Sequence, residues 1–287
     1  MGEKRVPLCH QTTHTMITFP NAKINLGLFV GETRADGYHN LETLFYPLKN
    51  LCDVLEIVPS ESGADRFTLS GLEVAGNSDD NLVMRAVRLV RERYDIPPLD
   101  IFLRKQIPTG AGMGGGSADA SFAIRMLNEM FSLGMSADEM KALARRLGAD
   151  CPFFIDNTPS LAFGIGDELQ PVEVDLSRYH ILVVKPPVFV STAEAYRGVP
   201  VLEGTRPIAE SIRRDVTTWR ETLLNSFEVN VFERFEELEY IKQELYDCGA
   251  VFALMSGSGS ALFALFEERK ERLRERYLLR DYFCQWG

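Results

Sequence analysis

At 287 residues the chain is long enough for two domains of ordinary size or one large one. Its 45% hydrophobic and 25% charged residues exclude a disordered, collagen-like or coiled-coil chain, and no apolar run approaches the ~18 residues that cross a bilayer. Lysine plus arginine (31) against aspartate plus glutamate (41) leaves a net charge of -10, which argues against nucleic acid or an anionic membrane as the main partner. A local positive pocket for a small anion stays compatible with that balance.

Cys9, Cys52, Cys151, Cys248 and Cys284 are odd in number, far apart and without a C-x-x-C, and the four histidines do not cluster with them. Neither a zinc site nor a disulfide framework follows. Residues 1–15 carry two basic residues but no apolar core or small-residue cleavage site, so they read as a poorly ordered leader rather than a secretory signal. A reduced cytoplasmic protein whose fold begins near Met16 is the expectation.

Residues 17–19 and 24–30 are β-rich and separated by Pro20-Asn21, a break. Further strands are expected at 41–48, 54–58 and 67–69, before a turn-rich stretch at 76–80. Residues 81–94 place Leu82, Val83, Ala86, Val87, Leu89 and Val90 at helical spacing, and Pro97-Pro98 ends that helix. A strand at 100–105 leads into a glycine-rich loop, and a helix at 119–131 leaves it. Ser136-Ala137-Asp138-Glu139 is a capping box opening a helix that runs to Leu147 and stops at Gly148, where a left-handed residue is expected. Residues 161–171 read as irregular, a boundary between two halves. Beyond it come a buried strand at 181–184, helices at 208–213, 219–225 and 235–246, strands at 251–254 and 261–266, and a charged outer helix at 267–279.

The loop Ile107-Pro108-Thr109-Gly110-Ala111-Gly112-Met113-Gly114-Gly115-Gly116-Ser117-Ala118 is the strongest local signal. Glycine lets the backbone reach positive φ and approach a ligand with no Cβ in the way. Successive N–H groups can then converge on phosphate oxygens, helped by the partial charge of the following helix N-terminus. Gly110-x-Gly112-x-x-Gly115 formally matches a dinucleotide fingerprint, but two helices follow in series and no acidic residue stands at a next strand. No Gly-Lys-Ser/Thr ends the run, so a Walker A loop fails as well. What is left is a phosphate cradle without a lysine of its own.

Pro20-Asn21-Ala22-Lys23-Ile24-Asn25-Leu26, this loop, and Met255-Ser256-Gly257-Ser258-Gly259 together resemble the three motifs of the GHMP kinases. Gly148-Ala149-Asp150-Cys151-Pro152-Phe153-Phe154 resembles the family's catalytic segment, with cysteine where any small apolar residue would serve. Asp36-Gly37-Tyr38-His39-Asn40-Leu41-Glu42-Thr43 narrows the resemblance to members whose acceptor is a cytidine diphosphate-linked methylerythritol. The likeness implies an α+β, two-domain GHMP kinase fold. Its N-terminal ATP-binding domain, residues 16–160, would contain a left-handed β-α-β crossover, against the usual right-handed rule, and its C-terminal domain, 161–287, would be ferredoxin-like.

The implied reaction moves the γ-phosphoryl group of ATP, with Mg²⁺, onto the acceptor's 2-hydroxyl. That chemistry needs positioning, neutralisation of charge and a taker for the acceptor proton. By resemblance Asp150 is the base, and Lys23 lies beside the same hydroxyl, easing its ionisation and balancing phosphoryl charge. Pro108 through Ala118, including Thr109, Gly110, Ala111, Gly112, Met113, Gly114, Gly115, Gly116 and Ser117, would cradle ATP, with Asn81, Leu82 and Lys105 at its adenine. Tyr38 would give a stacking face, His39 a hydrogen bond to the cytosine edge, and Tyr196 the other wall, with Phe189 nearby. Asn25 would touch the acceptor, and Gly257 would sit where a wide side chain obstructs the cleft. The Ser117 hydroxyl is a candidate metal donor, with no carboxylate ligand singled out. The partner is thus a small molecule, with neither nucleic acid nor membrane, and the chain a monomer or weak homodimer. The rival readings are another kinase of the superfamily, acting on mevalonate-like, sugar or homoserine substrates, and a nucleotide-binding sensor without catalysis. Lys23 and Asp150 argue against the sensor.

Overall fold

The structure is a computed structural model describing residues 15–74, 80–200 and 207–287. The expected leader, but for its last residue, and the expected turn at 76–79 lie outside the described residues. The described chain divides into two compact units, each drawing on several segments. The first holds the residues up to Ala22, Cys52–Thr109 and Gly114–Asn157, and the second Lys23–Leu51, Gly110–Met113 and the residues from Thr158 onward.

In the first unit, β1 (Met16–Thr18), β4 (Val54–Pro59), β5 (Arg66–Gly71) and β6 (Leu99–Lys105) form one sheet in the order β1-β4-β6-β5. β4 and β6 alternate, so Leu55, Ile57, Ile101 and Leu103 all turn to the core and pair across the ladder. β5 runs parallel to β6, and the chain between them passes through α1 (Leu82–Arg91). That helix buries Val83, Met84, Ala86, Val87 and Val90, one face at helical spacing. α2 (Gly115–Met130) answers it with Ala120, Ala123, Ile124 and Leu127 in the same apolar cluster. α3 (Ala137–Arg145) opens on the expected capping box of Ser136 and Glu139, and α4 (Phe153–Asp156) follows.

The second unit carries two sheets. β2 (Asn21–Thr33), β3 (His39–Cys52), β7 (Ser160–Phe163) and β8 (Glu168–Pro171) lie in that order. The other sheet contains β9 (His180–Lys185), β10 (Phe252–Met255), β11 (Leu262–Phe266) and β12 (Phe283–Trp286) in the order β10-β11-β9-β12, antiparallel throughout. Short helices α5 (Thr192–Tyr196), α6 (Ile208–Ser211) and α7 (Trp219–Thr222) and the longer α8 (Phe227–Arg234) and α9 (Glu236–Asp247) come between β9 and β10, and α10 (Glu271–Leu278) between β11 and β12. The result is the β-α-β-β-α-β ferredoxin-like arrangement. Its core joins Leu182, Val184, Leu262 and Ala264 of the sheet to Leu238, Ile241 and Leu245 of α9.

Three local expectations are corrected, and two elements carried none. Residues 161–171 are a hairpin, β7–β8, turned at Gly164 and Gly166, both at positive φ. α2 begins at Gly115 rather than at residue 119, because glycines that read as loop by propensity start the helix itself. Gly148 is not left-handed: Arg146 is still α-helical, and the amides of Leu147 and Gly148 both donate to the Ala144 carbonyl. Finally, α8 and β12 had no visible period. α8 buries Glu228 and Asn230 among its apolar residues, and β12 is four residues long at the edge of its sheet.

Candidate active site

The root of the glycine loop belongs to the first unit. Gly114, at φ 68°, is the N-cap of α2 and gives no side-chain cap, so the first-turn amides of that helix are left for another acceptor. Asn81 caps α1, its Oδ1 accepting from the Val83 amide at 2.9 Å. A Cβ on Gly116 would stand 3.5 Å from Leu82 Cδ1, so the starts of α1 and α2 meet there. Pro108 and Thr109 lead from the end of β6 toward the tip.

Lys105 ends β6 with its ammonium buried. It donates to Asp119 Oδ2 at 2.6 Å and to Asp53 Oδ2. Burial draws the lysine pKa down, but the two carboxylates outweigh it and the value ends above that of ordinary lysine. Burial pushes the Asp119 carboxyl up, against the pull of Lys105, and Asp53 adds to the rise.

Asp150 opens the segment packed on the first turns of α2. The Ser121 hydroxyl donates to the Cys151 carbonyl at 2.7 Å, and Ser117 and Ser121 both hydrogen-bond the Cys151 thiol. Burial pushes that thiol up to about 11, with the Asp150 charge adding to the shift, so Cys151 is an inert core residue. Asp150 therefore lies beside the helix turn that carries Ser117.

The tip of the loop, Gly110–Met113, belongs to the second unit. The Lys23 amide donates to the Met113 carbonyl at 2.9 Å, the Ser256 hydroxyl to the Gly112 carbonyl at 2.9 Å, and the Ala261 amide to the Ala111 carbonyl at 3.3 Å. A Cβ on Gly112 would collide with the Ser256 carbonyl, and one on Gly110 would meet the Phe189 ring at 2.7 Å. At Gly112 main chain touches main chain, which only glycine permits.

Lys23, 3% exposed, donates to Asn25 Oδ1 at 2.7 Å and lies 4.7 Å from the centre of the Phe45 ring. Asn25 Nδ2 in turn donates to Thr43 Oγ1 at 2.8 Å, and Thr43 to the Gly27 carbonyl at 2.6 Å. A Cβ on Gly257 would lie 3.5 Å from Asn25 Oδ1 and 3.0 Å from the Gly112 carbonyl. Lys23, Asn25, the loop tip and Gly257 thus form one cluster.

His39 and Tyr196, far apart in sequence, are stacked with ring centres 5.4 Å apart and planes at 19°. Phe227 abuts Tyr196 edge-on at 4.8 Å, and His39 Nδ1 lies 3.1 Å from the Gly31 carbonyl. Tyr196 ends α5 (Thr192–Tyr196), which Ser191 and Glu194 cap. Tyr38, expected as the wall opposite Tyr196, stands in an exposed turn, its amide donating to Asp36 Oδ1 at 3.1 Å, and Phe189 is exposed as well.

Several positioning residues gave no sequence signal. Asn225 Nδ2 donates to the carbonyls of Met255 and Gly257, each at 2.8 Å, and so fixes the third glycine motif. Asn230 Nδ2 donates to the Ala195 and Arg197 carbonyls and anchors the end of α5. Lys185 holds the Pro186 and Val188 carbonyls beneath the Phe189 segment. An Asn-Ser pair between helices, as at Asn225-Ser226, is the nearest thing to a readable sign.

The site and fold define a class. The model of the GHMP kinases N-terminal domain matches residues 81–158, and that of the GHMP kinases C-terminal domain residues 208–281. The 4-diphosphocytidyl-2-C-methyl-D-erythritol kinase of Bacteroides thetaiotaomicron is 50% identical over 254 residues, 88% of this chain and 92% of the relative. That of Parabacteroides distasonis is 48% identical over 272 residues, 95% and 99% of the two chains. The crystal structure of a 4-(cytidine 5'-diphospho)-2C-methyl-D-erythritol kinase matches with a TM-score of 0.78 at 32% identity, over 95% of this chain and 98% of that one. The chain belongs to this kinase family within the GHMP kinases.

Proposed function

We propose that this protein transfers the γ-phosphoryl group of ATP to the 2-hydroxyl of 4-diphosphocytidyl-2-C-methyl-D-erythritol, giving the 2-phosphate and ADP. The observations that carry the reading are the cluster of Lys23, Asn25, Gly257 and the loop tip, and the uncapped first-turn amides of the helix that follows the loop in the chain. Those amides suit the ATP phosphates, with Asn81 and Leu82 toward the base. Asp150 accepts the hydroxyl proton as the oxygen attacks phosphorus and the bond to the ADP oxygen breaks. Lys23 offsets negative charge on the transferring group, and Asn25 orients the lysine while contacting the acceptor. The stacked His39 and Tyr196 give a flat surface suited to a pyrimidine, which supports the cytidine end of the acceptor.

Among the described residues no three His, Cys, Asp or Glu side chains gather as a metal cage. A Mg²⁺ ion carried by nucleotide phosphates and water needs only one or two protein oxygens, and the Ser117 hydroxyl fits that demand. When bound, the ion would neutralise charge on the phosphate oxygens.

The test incubates purified protein with ATP, Mg²⁺ and the cytidine diphosphate-linked acceptor and follows ADP release. Asp150→Ala is expected to lower kcat by about 10²–10⁴-fold, the range for a general base. Undiminished turnover in that variant removes Asp150 from the role. Phosphorylation of a simple alcohol without protection by cytidine diphosphate compounds would overturn the acceptor assignment.

A further inference from the structure

Asp53 stands in the single-residue gap between β3 and β4 and catches three successive groups where β6 ends. Its Oδ1 accepts from the amides of Gln106 and Ile107, and its Oδ2 from the Lys105 ammonium. Its own amide donates to the Pro20 carbonyl at 2.8 Å, which fixes it in turn. The same ammonium reaches Asp119, in the second turn of α2, at 2.6 Å. Lys105 and Asp119 therefore bracket the whole glycine loop, and both belong to the first unit, from which the loop leaves at Thr109 and to which it returns at Gly114.

Two further features bear on what this cluster does. A Cβ on Gly115 would lie 3.3 Å from Lys105 Nζ and 3.0 Å from Ile107 Cγ2, so the ammonium is seated directly against the first residue of the helix. Lys105, Asp53 and Asp119 are 3%, 0% and 2% exposed, and Asp119 Oδ1 is buried with no hydrogen-bond partner. An apolar contact of the same volume would stabilise the fold as well as a buried ion cluster does, and without an unpaired oxygen. In some proteins a buried cluster whose hydrogen bonds have fixed directions is kept because it sets position.

We propose that Asp53, Lys105 and Asp119 form a clamp across the root of the glycine loop, positioning residues that hold the first-turn amides of α2 where the ATP phosphates bind. The inference rests on the reading of this loop as the ATP cradle. In it, Lys105 acts through the loop and not as a contact of the nucleotide. Its ammonium is already held by two carboxylates and is covered by Gly115.

The experiment compares wild type, Lys105→Met and Asp119→Asn by binding of a fluorescent ATP analogue, steady-state kinetics and thermal melting. Lys105→Met is expected to raise the ATP Kd and KM by about tenfold or more, with the acceptor KM within about twofold of wild type. Asp119→Asn, which keeps its shape and leaves Asp53 on the lysine, is expected to raise them by about threefold. A lower melting temperature with unchanged ATP affinity per folded molecule assigns the cluster to stability alone and overturns the clamp. If Lys105→Met does not fold, Asp119→Asn decides by the same ATP criterion. Wild type that fails to bind the analogue removes the cradle reading and the clamp with it, whereas wild type that binds beside variants that bind equally well removes only the clamp.

Discussion

The root and the tip of the glycine loop are held by different chemistry. At the root, three buried side chains grip one another through charge. At the tip, carbonyls and amides of Lys23, Gly112, Met113 and Ala261 meet with almost no side chain involved, Ser256 excepted. A side-chain lock tolerates graded substitution, because a shorter or neutral group leaves part of it in place. A main-chain contact that depends on a missing Cβ does not. The contrast accounts for glycine at 110 and 112, where a Cβ would meet the Phe189 ring and the Ser256 carbonyl.

The tip should therefore be the more fragile place. Gly112→Ala would force a methyl group into the Ser256 carbonyl at a positive φ, and an ångström of displacement at the loop is expected to cost about 10²-fold in kcat/KM. Steady-state assay against wild type checks this, and a loss smaller than that of Lys105→Met would reverse the comparison. Asn225→Ala removes two hydrogen bonds from buried carbonyls behind the same tip, and is expected to destabilise by about 1–3 kcal/mol in denaturant melts.

Smaller effects sharpen the contrast by touching neither end. Tyr196→Leu removes the ring stacked on His39 and is expected to raise the acceptor KM by up to about tenfold while the ATP KM stays unchanged. A matching rise for ATP would mean that the stack serves the loop and not the acceptor. Asp65, at the far end of β6 from the root, accepts from Arg91 and from the Leu99 amide. The Arg91 hydrogen bond holds the Asp65 carboxyl below its ordinary 3.8. The linked stability is complete above that value and disappears as pH falls through the lowered one. Asp65→Asn should cost about 1 kcal/mol near neutrality, since both side chains are about a quarter exposed, and less in acid. Acid melts that run parallel for the two proteins would remove the ion pair from the account.

How much of this was legible in the sequence follows from the range of each signal. The order β6, loop, α2 was readable because glycine density and the periods on either side are local. The start of α2 at Gly115 was not, since Gly115 serves a close approach by Lys105 and Ile107 that only the folded chain creates. Lys23, Asp150, His39 and Tyr196 were reached through motif resemblance, because a lone lysine or histidine in a strand has no periodic signature. Asp53, Asn225 and Asn230 were silent for a related reason. Each is a single polar residue, and most of its partners are main-chain atoms remote in sequence, which leave no trace in composition.

The proposed reaction delivers a phosphoryl group from ATP to a cytidine-linked alcohol. Its most direct test follows γ-³²P from ATP in the presence of 4-diphosphocytidyl-2-C-methyl-D-erythritol. Label is expected in a phosphomonoester of the acceptor, with transfer sharply reduced in Lys23→Met. Label recovered only as inorganic phosphate, or left on ATP by well-folded wild type, would contradict it.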